Sequence, residues 1–486
     1  MDLRIEKHDW GFMFVCIGLA IVAELSFLHG QIGVSYLVFI TCFYAVFFIR
    51  FRNVAFTNRR IGLLLTLCIW MLAASYLLYD RMPFYLLNIF VIPGFIFFHI
   101  VLVTAPKQIR WSSLTFVTTL FEKIGVGVAY DFKFFTKGFR KLFKNMEDQT
   151  ASQLKRVLIG LLIGIPLLLF VTGLLMSADA VFENIIGSIP RFIVQLNMQE
   201  QVFRTIAVII YFLVIFGILQ VLIHYRSKQE TQVVESTNNL RFDSVIVMTI
   251  LGLLTSVYLL FTAIQFTYFF GGLKDGLTYA EYARKGFSEL VVVTLVNWTI
   301  LISCLKFVKK DSIALKVIYS LIIVFSGVML ASAYQRLSLY ESAYGFTLDR
   351  IFAHAFMIFL FIIFAYTLIR VWLVHLSLLH FYLITGFLFY TALNIMPLEQ
   401  MIVDNNLERY ENTGKIDIFY LQGLGATGIE GLVNLYERDP DYPELSNLLS
   451  YEKQELARQQ NENWQSYNLA EQSMRERLAD IKVSGE

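Results

Sequence analysis

The stretch IFAHAFMIFLFIIFAYTLIRVWLVHLSLLHFYLITGFLFYTALNIM, residues 351–396, decides how this chain is threaded. It is more than twice as long as the ~20 residues that an apolar helix needs to cross the hydrocarbon core of a bilayer. It therefore predicts two crossings, with Arg370 at the turn between them. If it made only one crossing, every residue beyond Met396 would lie on the opposite side of the membrane.

Further apolar runs precede this stretch, and together they predict about 11 crossings. With 57% hydrophobic and only 16% charged residues, the chain has too little polar surface to cover a soluble particle of its size. Because backbone polar groups in hydrocarbon have to be satisfied within the segment, each run is expected to be a helix. The predicted fold class is all-α, a polytopic transmembrane helical bundle with a small C-terminal helical extramembrane domain. The expected spans are 11–28, 32–49, 61–79, 84–105, 157–176, 205–225, 245–270, 290–308, 317–334, 351–369 and 374–396.

Charge divides the chain into segments. A net charge of −9 falls on the residues from Leu398 onward and +11 on the rest, so the two parts are expected to lie in different environments. Within the tail, residues 448–483 predict a long helix that folds against the rest of the tail or the outer loops. Its expected apolar face contains Leu456, Trp464, Tyr467, Met474, Leu478 and Ile481. The expected segments are a four-span region (1–105), a basic cytoplasmic interfacial loop (106–156), a seven-span region (157–397) and an acidic helical extracytoplasmic tail (398–486).

The distribution of lysine and arginine determines the expected orientation. With the N-terminus in the cytoplasm, 24 basic residues fall in inner segments and 8 in the outer loops before the tail. The positive-inside rule therefore favours a cytoplasmic N-terminus, and eleven crossings then place the C-terminal tail on the extracytoplasmic side. We expect a multi-pass protein of the bacterial cytoplasmic (inner) membrane, with the lipid bilayer as its surroundings.

The inner loop contains FKFFTKGFRKLFKN, residues 132–145, in which aromatic and basic residues alternate in blocks. Such a pattern predicts a helix on the inner leaflet, with its aromatic side chains toward the lipid and its cations against anionic head groups. An ordinary amphipathic linker with snorkelling lysines is the alternative. The cations are Lys133, Lys137, Arg140, Lys141 and Lys144.

Polar residues of three outer segments form a candidate face for a ligand or for an envelope protein partner. In the second segment Glu281, Lys285 and Glu289 are four residues apart, so a helix would place them on one side as ion pairs. The alternative is an interfacial helix packed on the tail, with aromatic residues at head-group level. The candidate residues are Asp179, Tyr279, Glu281, Tyr282, Arg284, Glu289, Arg336, Tyr340, Tyr344 and Arg350.

Glu24 is the clearest acid within an apolar run. An intramembrane carboxylate can relay a proton or coordinate a cation. It can equally pair with His29 or with a basic group from an outer loop. His375 and His380 are five apart, off the spacing that shares one helix face, so no metal site is predicted.

Five segments together resemble the bacterial multi-pass membrane family catalogued as domain of unknown function 4173. The similarity covers roughly Val157 to the C-terminus and implies a fold and a lineage, without an established activity. The tail departs from the pattern at GLGATG, residues 423–428, where similar proteins carry a stretch containing Ser, Asp and Pro. The five segments are LLMSADAVF (174–182), TYAEYARKGFSELVVV (278–293), YGFTLDR (344–350), NLERYENTGKIDIFYL (406–421) and NWQSYNL (463–469).

The GLGATG stretch formally satisfies the dinucleotide-binding fingerprint, but that chemistry needs a βαβ unit with a second parallel strand. Pro440 and Pro443 break the sequence where that strand would follow. We therefore expect a flexible turn that joins two helices, and no cofactor. No GxxxxGK[ST], HExxH or GxSxG motif occurs in the chain, and nothing in it predicts a nucleic-acid partner.

The leading hypothesis is a non-enzymatic envelope protein that binds a partner or a lipid-derived ligand at its outer face. The alternative is an ion-coupled secondary transporter that uses Glu24 or Asp179. A membrane enzyme acting on lipids would need acids or histidines clustered at one depth, and the scattered histidines disfavour it.

Overall fold

The computed structural model describes residues 7–106, 111–142, 198–224, 242–271, 287–308, 312–458 and 463–481. Within these ranges every extended regular element is a helix and no strand forms, and Phe242 and Val308 make an isolated bridge. The predicted all-α fold class is confirmed.

The helices group into two compact units. Unit 1 comprises Met1–Leu77, Ile92–Val233 and Glu462–Tyr467, and unit 2 comprises Leu78–Val91, Val234–Asn461 and Asn468–Glu486. The helices are α1 (Lys7–Phe27), α2 (Val34–Arg50), α3 (Arg59–Leu78), α4 (Met82–Thr104), α5 (Leu114–Leu142), α6 (Met198–His224), α7 (Ser244–Gly271), α8 (Phe287–Phe307), α9 (Ile313–Tyr344), α10 (Leu348–Trp372), α11 (Leu378–Ile395), α12 (Leu398–Thr413), α13 (Ile418–Gln422), α14 (Ala426–Arg438), α15 (Leu445–Arg458) and α16 (Leu469–Asp480).

Among the described residues, nine helices are long and apolar enough to cross a membrane, namely α1, α3, α4 and α6 to α11. The apolar helix α2 is shorter, with 17 residues. Every expected span coincides with a helix except 157–176, which lies outside the described residues. The chain is a multi-pass membrane protein.

The stretch 351–396 forms two helices, as predicted. Helix α10 ends at Trp372, and α11 begins at Leu378. Ser377 caps α11, because its hydroxyl accepts a hydrogen bond from the backbone N–H of His380 at 3.4 Å. The rings of Tyr366 and Phe381 stack across the turn with centroids 3.7 Å apart.

In unit 2, a continuous apolar core lies among α7, α8, α9 and α10. A small polar network is buried within it: the amide of Asn297 accepts from the hydroxyl of Tyr258 at 2.6 Å and donates to that of Ser326 at 2.9 Å. Because each buried polar group has a partner, the network holds three helices together without leaving a desolvated donor.

Helix α5 in unit 1 contains residues 132–142 of the predicted amphipathic segment, but one detail of the prediction is wrong. Phe134 is fully buried, with its ring 4.4 Å from that of Trp10 and 4.8 Å from that of Phe216. It therefore packs on protein and not on lipid, because α1 and α6 cover this side of α5. Lys133 and Lys137 are exposed. Residues 143–145 and the side chains of Arg140 and Lys141 lie outside the described parts of the chain.

In unit 2 the tail helices α12 to α16 pack around an apolar core, but the long helix predicted for 448–483 is interrupted. Helix α15 ends at Arg458, a 3₁₀ turn covers Trp464–Ser466, and Asn468 starts α16 by accepting from the backbone N–H of Glu471 at 3.1 Å. Of the predicted apolar face, Met474 and Leu478 are buried in the tail core, and Leu456 and Ile481 pack against it. Trp464 and Tyr467 are instead exposed, because asparagine capping begins a new helix after them.

Residues 423–425 of the GLGATG stretch form the predicted turn between α13 and α14, and residues 426–428 are the first residues of α14. Gly425 has φ +74°, a conformation that favours glycine. At Gly428 a Cβ atom would lie 1.8 Å from the backbone oxygen of Leu421. The glycines therefore permit a sharp turn and a close approach of two helices.

Candidate functional site

In unit 2 the tail holds the turn between α9 and α10. The side-chain amide of Asn406 accepts from the backbone N–H of Phe346 at 3.2 Å and donates to its carbonyl at 3.0 Å. Tyr420 accepts from the N–H of Leu348 at 2.8 Å. Gly345 has φ +84°, and a Cβ atom there would lie 2.5 Å from Oδ1 of Asn406. Residues 336–350 with α12 and α13 thus form one surface, which we call the platform.

The platform brings together several of the predicted ligand-face residues. The guanidinium of Arg350 lies over the ring of Tyr340, 4.3 Å from its centroid, and donates a hydrogen bond to the carbonyl of Gly345. The rings of Tyr340 and Tyr344 are 4.9 Å apart, and Tyr344 is 55% exposed. Arg336 lies one helical turn before Tyr340. The end of α9 therefore carries the exposed ring of Tyr344 beside the partly buried Arg336, Tyr340 and Arg350.

The other predicted residues of this face are not brought into it by the described structure. Glu289 is exposed in the first turn of α8. Five candidates lie outside the described residues: Asp179, Tyr279, Glu281, Tyr282 and Arg284.

The sequence did not predict an acid–histidine pair that joins the platform to α10. Oε2 of Glu341 lies 2.9 Å from Nε2 of His354, and the ring of Tyr334 is 4.3 Å from the histidine ring. The remaining atoms, Oε1 of Glu341 and Nδ1 of His354, have no hydrogen-bond partner in the described part of the chain. The two residues lie on different helices, so only the antiparallel packing of α9 and α10 makes them neighbours.

A second pair missed by the sequence joins Arg81 to the start of the tail. Nε of Arg81 donates to Oε2 of Glu399 at 2.5 Å, and Nη1 donates to the carbonyls of Leu393 and Asn394 at 3.1 and 3.0 Å. Burial raises the pKa of Glu399, and Arg81 opposes that shift. Arg81 thereby satisfies backbone carbonyls that α11 leaves unpaired at its C-terminus.

In unit 1, Glu24 is paired. Oε1 lies 3.5 Å from Nδ1 of His29 and 3.8 Å from Nε of Arg204, and the residue is 7% exposed. His29, one of the two predicted partners, is therefore present, and the basic partner is Arg204, which lies within α6 and not in a loop. A role of Glu24 in ion coupling stays a prediction.

A buried network in unit 1 joins α1, α2, α5 and α6. Arg50 donates to Asp9 at 3.0 Å and to Gln220 at 2.9 Å, and Tyr130 donates to Asp9 at 3.1 Å. Asp9 is fully buried. These residues are far apart along the chain, and no spacing in the sequence connects them.

Also in unit 1, residues 463–467 cover the turn between α1 and α2. The backbone N–H groups of Gly33 and Val34 donate to the carbonyls of Gln465 and Tyr467 at 2.9 and 3.0 Å. A Cβ atom at Gly33 would lie 2.4 Å from the oxygen of Tyr467. This part of the tail therefore binds the turn through backbone atoms, and glycine is needed for the approach.

Across the described ranges, no group of three or more His, Cys, Asp or Glu side chains is arranged to hold a metal ion. The candidate site therefore consists of ion pairs, aromatic rings and guanidinium groups at the ends of membrane helices.

The sequence matches the model of the family described as a domain of unknown function, DUF4153, over residues 66–435. This match covers more than half of the 486-residue chain, and the protein belongs to that family. The similarity to domain of unknown function 4173 was therefore a wrong assignment, and the matched region begins well before Val157. No curated protein and no solved structure matches the chain.

Proposed function

We propose that the protein lies in a bacterial cytoplasmic membrane, with its N-terminus inside and its tail outside, and that the platform binds the anionic group of a lipid-derived ligand. The guanidinium of Arg350, which lies partly buried over the ring of Tyr340 and beside the exposed Tyr344, carries this proposal. A planar guanidinium matches the geometry of phosphate and carboxylate groups. Tyrosine, like tryptophan, is enriched where membrane and water meet.

The contacts of the tail support the proposed topology. Within unit 1, residues 463–467 bind the α1–α2 turn. Within unit 2, Glu399 pairs with Arg81 in the α3–α4 turn, and Asn406 binds the α9–α10 turn. The positive-inside rule assigns all three turns to the outer side. A tail bound to these turns therefore agrees with an odd number of crossings.

We also propose that α5 contacts anionic lipid at the inner leaflet. The exposed lysines Lys133 and Lys137 support this proposal, because basic residues beside a membrane are attracted to its anionic lipids.

Charge reversal at Arg350 tests the outer ligand. Arg350→Glu is expected to weaken binding of phosphatidylglycerol to the delipidated, detergent-solubilised protein roughly tenfold or more, since one charge-assisted hydrogen bond contributes about that factor. The measurement is native mass spectrometry across a lipid titration. In cells, the variant should insert into the membrane and accumulate normally, but it should fail to restore the wild-type phenotype to a deletion strain.

Arg438→Glu is the matched control, because Arg438 is an exposed tail arginine paired with Glu411. It should bind the lipid within about twofold of the native chain, as expected for a surface pair. Tyr340→Leu removes the ring under Arg350 without reversing a charge and should weaken binding in the same direction. Equal lipid binding by the Arg350 and Arg438 variants would exclude the platform as the lipid site, and a partner protein recovered by cross-linking there would identify the other class of ligand.

A further inference from the structure

Asp131 is a buried acid that the outer-face function does not use. It lies on α5 in unit 1 and is 8% exposed. Its side chain is pressed against the backbone of α6, where a Cβ atom at Gly217 would lie 2.4 Å from Oδ2. One turn earlier, a Cβ atom at Gly127 would lie 3.5 Å from the carbonyl carbon of Gly217. The two glycines let the helices approach closely, and the carboxyl is enclosed between them.

One of the two oxygen atoms of this carboxyl group has no hydrogen-bond partner among the described residues. Oδ1 of Asp131 makes no hydrogen bond to any residue in the described ranges, and it is inaccessible to solvent. The neighbouring Asp9 is also buried but accepts from Arg50 and Tyr130. The two acids of this cluster therefore differ, because Asp9 is ion-paired and Asp131 is not.

The arginine in this cluster, Arg50, already has other partners. The guanidinium of Arg50 donates to Asp9 and Gln220, and it contacts Nδ1 of His8 at 2.9 Å. The ionisable groups around Asp131 are Asp9, His8 and Cys16 on α1, Arg50 on α2 and Tyr130 on α5, and α6 contributes the neutral Gln220. Nothing in this set gives Asp131 a counter-ion of its own.

A carboxylate buried without a counter-ion is unfavourable, and such a group takes up a proton instead. Burial raises the pKa of Asp131 to about 8. The helix α5 is not one of the nine candidate spans, but Gly217 lies in the span Glu200–Ile223, toward its Ile223 end. The acid is therefore placed where one face of an apolar helix meets a polar network.

We propose that Asp131 is a proton-binding site, in which a carboxyl group enclosed between two helices without a counter-ion holds a proton. The ligand is a proton. The site is independent of the platform, because it lies in unit 1 and shares no residue with it.

Labelling of the intact chain with N,N′-dicyclohexylcarbodiimide in phosphatidylglycerol–phosphatidylcholine vesicles tests this site. The apolar carbodiimide adds a protonated carboxyl across one C=N bond to give an O-acylisourea, which rearranges to a stable N-acylurea, so that no group leaves. Peptide mass spectrometry is expected to find the adduct on Asp131, with a yield that falls as the pH rises through about 8. Asp9 should be labelled several-fold less, because its carboxylate is ion-paired.

An infrared measurement keeps the test independent of reagent access. The carbonyl band of a neutral carboxylic acid should disappear with the same pH dependence, and Asp131→Asn should remove it while leaving the thermal stability nearly unchanged. The matched variant Asp9→Asn should keep the band but lose stability, since it breaks the pair with Arg50. Absence of the band in the native protein, or its persistence in Asp131→Asn, would overturn the proposal whatever the labelling result.

Discussion

Replacing Arg81 with alanine is expected to destabilise the protein by about 3–5 kcal/mol, the range found when one partner of a buried ion pair is removed. The side chains of Arg81 and Glu399 are 4% and 5% exposed. The substitution leaves the carboxylate of Glu399 without its cation and the carbonyls of Leu393 and Asn394 without their donor. The measurement is the midpoint temperature at which the detergent-solubilised variant loses its folded fraction on size-exclusion chromatography.

Two variants sharpen this prediction. Arg477→Ala removes an exposed pair with Glu437, whose side chains are 40% and 55% exposed, and should cost less than about 1 kcal/mol. The double substitution Arg81→Met with Glu399→Leu removes both charges and should recover a large part of the lost stability, because apolar side chains avoid the desolvation of the pair. If Arg81→Ala were as stable as Arg477→Ala, the Arg81–Glu399 pair would not hold the tail to the membrane helices.

Gly428→Ala is expected to cost about 3 kcal/mol, the upper end of the usual cost of overpacking. The new Cβ atom would lie 1.8 Å from the backbone oxygen of Leu421 and 2.9 Å from Cβ of Leu424. Because the nearest obstacle is backbone, no side-chain rotation relieves the clash, and α13 has to separate from α14. Hydrogen exchange of residues 418–438 should accelerate markedly in the variant.

The matched control for this substitution is Gly386→Ala. Gly386 lies within α11, and no heavy atom is within 4 Å of the position that its Cβ would take. Alanine there should be neutral or stabilising by up to about 1 kcal/mol, because it has the higher helix propensity. If both variants had the same stability, the close approach at Gly428 would be refuted.

The membrane part of the fold could be predicted because one physical rule governs it. Hydrocarbon requires a long apolar helix, so residues 351–396 had to form two crossings, and α10 and α11 begin and end near the expected residues. The tail has no such constraint. Its pattern over 448–483 suited one helix, but Asn468 offered the backbone a cap and a new helix began there.

The sites were less predictable because they depend on contacts between distant residues. Tyr340 and Arg350 are close enough along the chain to be grouped from the sequence alone. Arg81 and Glu399 are separated by most of the chain, and no spacing in the sequence connects them. The sequence did not predict the Asp131 site either. Asp131 lacks a counter-ion because the guanidinium of Arg50 donates to Asp9 and Gln220 instead.

The threading of the chain is tested most directly by single cysteines in a variant without the four native ones. Asn412→Cys lies on the exposed end of α12, and Asn53→Cys is exposed in the turn between α2 and α3. With a membrane-impermeant maleimide on intact spheroplasts, we expect Cys labelling at position 412 without permeabilisation, and at position 53 only after it. Labelling of position 53 but not of position 412 from outside would contradict the account, since the tail and the platform would then face the cytoplasm.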